Sequence, residues 1–337
     1  MEFSVIIAVR DEEKTIEECI KSVFNQTYDH PYEVIVVEGY GNDNTYALLQ
    51  QLKKQYNFEL YRNKTKNAAA GRNTGIHHAK GEKLAFIDGD AAAAHNWLEQ
   101  INNIFDQYPK AIGVGGPDHL PKNSGLKSTM IGLFMTSPLA RGGKFNPSTQ
   151  HSYMKEERYV DHIPTCNLCL KREVFDQVGL FDESFVKGQD LELNYRIRKQ
   201  GFKLLYSPTI KVIHYRKEHI STFSRQIYKW AKAKVAIIKK HGIDGITSHI
   251  YLWPVYALLI ALVLITILSL LNALHIFFLI LLSSLILYII FVLNEAVNLM
   301  NKYQTKILFF YALLLFPIVH GAYAYGILVA LVKKNMW

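Results

Sequence analysis

The C-terminal end of the chain constrains the rest. From Ile250 to Leu271, from His275 to Leu293 and from Ile307 to Val332 the sequence is dominated by Leu, Ile, Val, Phe, Ala and Tyr. Each stretch is near or above the roughly 18–20 apolar residues that cross a bilayer. Apart from tyrosines, His275 and His320 are the only titratable side chains inside them, which favours membrane spans over buried core helices. The short "LNALH" suits a tight hairpin between the first two, and Pro254 and Pro317 are tolerable near helix ends or as kinks. We therefore expect a transmembrane region over 250–337 with about three helices (250–271, 275–293, 307–332).

The formal charge of +9 is concentrated before these spans. Lys211, Arg216, Lys217, Arg225, Lys229, Lys232, Lys234, Lys239 and Lys240 face the single acid Glu218. Positive charge beside a span resists translocation and is drawn to anionic headgroups. This predicts a basic amphipathic interfacial segment over 219–249 and a cytoplasmic soluble part. The N-terminal "MEFSVIIAVRDEE" agrees, since it lacks a signal peptide's basic flank and long apolar run. Three spans would put Lys333 and Lys334 on the outer side, against the same charge rule. Nucleic acid is not an expected partner, because the basic segment abuts a span and no nucleic-acid module accompanies it. Cys166 and Cys169 lie in the apolar "PTCNLCL" and read as two buried thiols rather than a zinc or redox pair.

Up to about residue 216 the pattern alternates. Phe3 to Val9, "YEVIVVE" (32–38) and "KLAFID" (83–88) are apolar strand runs. Between and after them come helical faces such as Ile16, Cys19, Ile20, Val23 and Phe24, and Trp97, Leu98, Ile101, Ile104 and Phe105. Such alternation predicts an α/β domain with a mostly parallel, Rossmann-like sheet, whose ligands bind beyond the carboxyl ends of its strands. Arg10, Glu12, Glu38 and the pair Asp88 and Asp90 all occupy such ends. Residues 116–160 lose the pattern except for an apolar island from Met130 to Met135. They read as a substrate-covering flap or a segment resting on the bilayer.

Asp88-Gly89-Asp90 supplies two hard oxygen donors at a strand end, suited to Mg²⁺ or Mn²⁺ shared with phosphates. The same residues also make ordinary turns; the acidic neighbours at other strand ends favour the metal.

"FSVIIAVRDEEKTIEECIKSVFNQTY", "EVIVVEGYGNDNT" and "AAAGRNTGIHHAKGEKLAFIDGDA", in this order, resemble the family 2 glycosyltransferases of the GT-A fold over roughly residues 3–216. The resemblance implies a nucleotide-sugar site at Ala8, Arg10, Glu12, Glu38, Arg72, Asn73 and Asp88, with Asp90 on a divalent cation. Ala8 stands where the family commonly has Pro, and Glu38 where it has Asp. In "FVKGQDLELNYRIRKQG", Asp190 matches the family's acceptor-deprotonating Asp, whereas Gln189 departs from its usual Glu. A carboxylate there could instead merely cap a helix. "KVIHYRKE" resembles the family's terminal strand, making His214 a second candidate for the metal, or else a contact to the diphosphate. "RQIYKW" is similar to the Gln-x-x-Arg-Trp of membrane polysaccharide synthases, with Gln226, Lys229 and Trp230 as acceptor or diphosphate candidates. Lys cannot form the bidentate fork of Arg, and the alternative is an interfacial helix with Phe223, Ile227 and Trp230 facing lipid.

Together these features imply metal-dependent, inverting transfer of a sugar from a nucleotide-diphosphate donor to a membrane-associated, lipid-linked acceptor in glycan or polysaccharide biosynthesis. A domain over 1–218 would carry the chemistry. The rivals are a processive polysaccharide synthase and a catalytically silent membrane protein that binds sugar nucleotides.

Overall fold

The computed structural model describes residues 1–140, 154–215, 219–245 and 249–333. Their contacts divide them into two units, one within Met1–Ser124 and Pro147–Arg216, the other within Gly125–Asn146 and Lys217–Met336.

The first unit is α/β. Its strands are β1 (Phe3–Val9), β2 (Tyr32–Glu38), β3 (Glu59–Arg62), β4 (Lys83–Asp88), β5 (Ala91–Ala93), β6 (Ala111–Gly115), β7 (Asp118–His119), β8 (Arg158–Val160), β9 (Leu168–Lys171), β10 (Lys203–Tyr206) and β11 (Val212–His214). Its helices are α1 (Ile16–Phe24), α2 (Thr45–Leu52), α3 (Ala68–His78), α4 (Trp97–Gln107), α6 (Glu173–Val178) and α7 (Gln189–Lys199); α5 (Leu126–Phe134) belongs to the second unit.

Eight strands form one sheet in the order β3-β2-β1-β4-β9-β6-β10-β8. β1 pairs in parallel with β2 and β4, while β9 runs antiparallel to both β4 and β6. The apolar runs read from the sequence are these inner strands, buried on both faces. That is why they are continuous rather than alternating. One face packs the apolar sides of α1 and α4, with Trp97 fully buried; the other packs Phe86, Phe175 and Phe181 under α3 and α7.

Of the three-stranded sheet β5-β11-β7, β11 was expected from "KVIHYRKE", whereas β5 and β7 had no clear sequence signature. Asn167 fastens the small sheet to the main sheet: its Oδ1 accepts from Trp97 Nε1 at 2.9 Å and its Nδ2 donates to Ile210 O at 2.8 Å. Gly116 lies so close that a Cβ there would sit 2.0 Å from Ile210 O, hence the glycine.

The second unit is helical: α5, α8 (Ile220–His241), α9 (Trp253–Leu270), α10 (Leu274–Tyr303) and α11 (Lys306–Val332). Among the described residues, α9, α10 and α11 are long and apolar enough to cross a membrane. The Met130–Met135 island is α5 and its end. It is buried against α10 and α11, with Thr136 Oγ1 2.8 Å from Tyr303 Oη and Ser137 Oγ donating to Glu295 Oε1 at 2.7 Å. The expected 1–218 domain is thus interrupted, because the island's apolar side chains are covered by helices from the end of the chain. Elsewhere in the expected 116–160 flap, Asp118–His119 and Arg158–Val160 are strands, and 141–153 lie outside the described residues.

Candidate active site

The parallel register places the strand ends side by side, Ala8 opposite Asp88 and Val9 opposite Glu38. α3 lies over them because Gly71 and Gly75 let its backbone approach: a Cβ on Gly71 would meet Ala8 Cβ at 3.1 Å, and one on Gly75 would meet Ile6 Cγ2 at 2.4 Å. Ala8 therefore faces the helix, where a smaller residue than Pro suits the contact.

Close packing of α3 buries Arg72 and Asn73. Arg72 Nη2 donates to Asp88 Oδ1 at 2.7 Å, and its Nη1 reaches Gln189 Oε1 at 3.4 Å. One guanidinium thus joins the end of β4 to the start of α7. Gln189 also donates through Nε2 to Phe185 O at 2.8 Å, fixing the turn before α7. Its neutrality leaves the Arg72 charge to Asp88 and Asp190. Asn73 clamps the preceding loop, its Oδ1 accepting from Phe181 N at 3.0 Å and its Nδ2 donating to Phe181 O at 2.8 Å.

Asp190 opens α7 beside His162, whose Nε2 lies 3.5 Å from Asp190 Oδ2. A quarter of the Asp190 side chain reaches solvent. Burial pushes its carboxyl upward, but His162, the Arg72 charge and the Leu191 N–H outweigh burial and hold it at about 2. Asp190 is therefore ionised and accessible, rather than sealed beneath a helix. His162 carried no sequence signal; it follows an irregular stretch and meets Asp190 only through the fold.

Asp90 has different company. His214, on β11, places Nε2 3.3 Å from Asp90 Oδ1 and Nδ1 3.4 Å from Asp118 Oδ2. Burial alone would lower the imidazole's proton affinity; Asp90, Asp118 and Cys166 together raise it well above the usual histidine value. The backbone locks this arrangement, since Tyr215 N donates to Asp90 O at 2.8 Å and His214 pairs with Ala91 across the small sheet. The two residues expected at the metal are thus neighbours. Donors about 2.1 Å from a common ion, at right angles, lie about 3 Å apart, so a carboxylate and an imidazole 3.3 Å apart fit one divalent cation. Asp118, Cys166 and His214 also offer donor atoms within 4.8 Å of one another. Burial pushes the Cys166 thiol up to about 12, so that sulfur is a protonated neighbour rather than a ready thiolate. Asp118 escaped the sequence reading. Its carboxylate orients His214 as an outer partner orients a metal-binding imidazole. Cys166 and Cys169 are both free and buried, as expected.

The remaining residues expected at the nucleotide surround Glu38. Its carboxylate is buried, with Oε1 accepting from Gly41 N at 2.5 Å and Oε2 from Arg62 Nε at 2.7 Å. The Arg62 guanidinium lies between the rings of Tyr40 and Tyr46, 3.7 and 4.0 Å from their centroids. Arg62 ends β3 in register with Glu38, a partnership set by sheet order. Arg10 Nη1 donates to Lys66 O at 3.1 Å, and Glu12 accepts through its backbone carbonyl from Ile16 N at 3.0 Å, starting α1. Gln226, Lys229 and Trp230 lie on α8 in the second unit. There Phe223 and Ile227, expected to face lipid, are buried against α5, α10 and α11, with Trp230 packed partly against them. The face was right in polarity, but its partner is protein: Leu315, Phe316 and Val319 of α11 belong to the same buried cluster.

A mostly parallel sheet crossed by a short second sheet that brings β11 to the Asp-Gly-Asp turn is the GT-A architecture of nucleotide-sugar transferases. The chain belongs to glycosyl transferase family 2, whose sequence profile matches residues 4–179, and it is a glycosyltransferase. It is 27% identical over 341 residues, 98% of both chains, to the dolichyl N-acetyl-alpha-D-glucosaminyl phosphate 3-beta-D-2,3-diacetamido-2,3-dideoxy-beta-D-glucuronosyltransferase of Methanococcus voltae. Glycosyltransferase AglE of Haloferax volcanii is 29% identical over 216 residues, covering 63% of this chain and 66% of that one. Among solved structures, GalNAc-T7 with UDP, GalNAc and Mn²⁺ superposes with a TM-score of 0.52 at 20% identity, over 70% of this chain and 48% of its own, a likeness of fold.

Proposed function

We propose that this chain transfers a sugar, with inversion, from a nucleotide-diphosphate donor to a lipid-linked acceptor held in the membrane, its catalytic unit on the cytoplasmic side. The end-to-end alignment with a relative named for a dolichyl-linked sugar phosphate supports such an acceptor. The observation that carries the chemistry is Arg72, which ties the donor end of β4 at Asp88 to Gln189 beside Asp190.

In this reading Ala8, Arg10 and Glu12 border the nucleotide, while Glu38 acts by holding Arg62 between Tyr40 and Tyr46. Asp88 positions the ribose side of the donor, and Asn73 keeps the 181–183 loop in place. Asp90 and His214 would hold Mg²⁺ or Mn²⁺, which supplies charge neutralisation to the leaving diphosphate. Asp190 takes the acceptor proton while the hydroxyl attacks the anomeric carbon from the face opposite the diphosphate. Because Arg72 lowers Asp190's proton affinity, its engagement by the diphosphate would withdraw that charge and strengthen the base when donor is bound. Gln226, Lys229 and Trp230 are assigned to the acceptor or diphosphate by resemblance alone.

The test uses the full chain in nanodiscs with a panel of nucleotide sugars, Mn²⁺, Mg²⁺ or chelator, and a polyprenyl-phosphate-linked sugar acceptor. A single sugar added to the lipid-linked acceptor, with inverted anomeric configuration and dependence on the cation, is expected. Long ladders of product would replace this reading with a processive synthase. Donor binding without transfer, across all combinations, would replace it with a silent binding protein.

A further inference from the structure

We infer that only α9 and the first part of α10 cross the bilayer, while α8 and the half of α11 past Pro317 lie together as a platform in the headgroup region of one leaflet. This proposal is independent of the donor and acceptor reading.

The three apolar helices are not alike in what covers them. In the most apolar windows of α9 and α10 only 11% and 6% of residues are buried within the protein, against 28% in α11. Over 274–291, α10 is exposed around most of its surface, as in Phe278, Leu281 and Leu285. No Lys, Arg, Asp or Glu occurs from 253 to 294. The 18 residues of α9 and the first 18 of α10 each extend about 27 Å, close to the roughly 30 Å hydrocarbon thickness. They form a hairpin with two matched legs.

The rest of α10 is different. It carries Glu295, Asn298, Asn301 and Lys302, and its buried residues Val292, Ala296 and Leu299 pack on Leu308, Ala312 and Leu315 of α11. The first half of α11 is therefore level with the polar end of α10, beyond the hairpin's base. Tyr288 Oη, 3.1 Å from His320 Nδ1, marks that base.

Past Pro317 the second half of α11 changes partner. Tyr228 stacks on Tyr325, Gly326 admits the Tyr228 carbonyl and Ala231, and Lys239 Nζ donates to Ala330 O at 2.8 Å and Lys333 O at 3.0 Å. These pairs advance together in both helices, so α8 runs parallel to α11. A bilayer-crossing α11 would carry Lys229, Lys232 and Lys234 into the hydrocarbon with it. Such burial is strongly disfavoured. Lying in plane, these lysines meet anionic headgroups. This arrangement also returns Lys333 to the side on which α8 begins, removing the conflict with the charge rule that three spans create.

The test is labelling with a membrane-impermeant maleimide in sealed vesicles carrying the full chain, with the native cysteines all buried. Arg225→Cys on α8 and Leu271→Cys at the hairpin turn serve as references for the two sides. Lys333→Cys should react from the same side as Arg225→Cys, and Leu271→Cys from the opposite side. Reaction of Lys333→Cys together with Leu271→Cys would overturn the proposal. A second readout is independent of sidedness: a nitroxide at Leu314→Cys should report headgroup depth, whereas one at Leu262→Cys reports the bilayer interior. Equal, deep immersion of both would equally overturn it.

Discussion

Asp88 and Asp90 stand one residue apart yet live in different electrostatic worlds. Asp88 is held by a guanidinium that also reaches the start of α7. Asp90 is held by an imidazole braced from behind by a second carboxylate. A cation that can surrender its proton can give way to a metal; one that cannot stays as a permanent part of the site. The difference teaches that spacing alone does not divide labour within such a pair. The counter-ion delivered by the rest of the fold does.

That contrast can be broken first at Asp190, on the guanidinium side. Asp190→Asn should lower kcat by about 10³-fold or more, within the range for a general base, while donor affinity and thermal midpoint stay near the parent's. Unchanged turnover would remove Asp190 from the chemistry. On the imidazole side, Asp90→Asn should reduce turnover by about 10²-fold or more and abolish Mn²⁺ binding measured by electron paramagnetic resonance. Mn²⁺ retained at the parent's affinity would show that the ion is held elsewhere.

The bracing carboxylate offers a finer cut. Asp118→Asn should weaken Mn²⁺ about 10–100-fold, as loss of an outer partner does, and leave donor binding at saturating metal intact. Arg72→Lys should raise the donor KM about 10-fold by losing the fork, with metal affinity untouched. If Arg72→Lys instead weakened Mn²⁺, the two halves of the pair would not be separate.

The smallest effect is in the pH profile. Asp190's carboxyl is held down at about 2, so its ionised form persists throughout the working range and its stabilising contribution fades only as pH falls from about 3.9 towards 2. In His162→Gln the carboxyl should rise, because burial then acts with less opposition. An acidic limb in kcat/KM should appear at higher pH than in the parent, with a loss of only a few-fold near neutrality. Superimposable profiles would remove His162 as a positioning residue.

Much of this was legible in the chain. The apolar strand runs, the helical faces over the sheet and the acids at strand ends became β1, β2, β4 and their neighbours with little displacement. His214, a candidate for the metal or the diphosphate, lies 3.3 Å from Asp90. Partners separated by long stretches of sequence were hidden: Asp118 reaches His214 across 96 residues, and Arg62 reaches Glu38 across 24. Neither has a local periodicity that would announce it, because each is chosen by sheet order rather than by neighbours in sequence. The same holds for α8, whose apolar face was visible while the identity of what covers it was not.

β11 has one practical consequence. The strand bearing His214 ends only six residues before α8 begins, so it is both a wall of the site and the last tether of the catalytic unit. Chain ends fray over a few residues. A soluble fragment cut just after the strand would therefore keep its main sheet but leave the imidazole on a loose end. Its melting curve would look healthy while its grip on the cation faded, and a fragment extended into α8 would restore that grip.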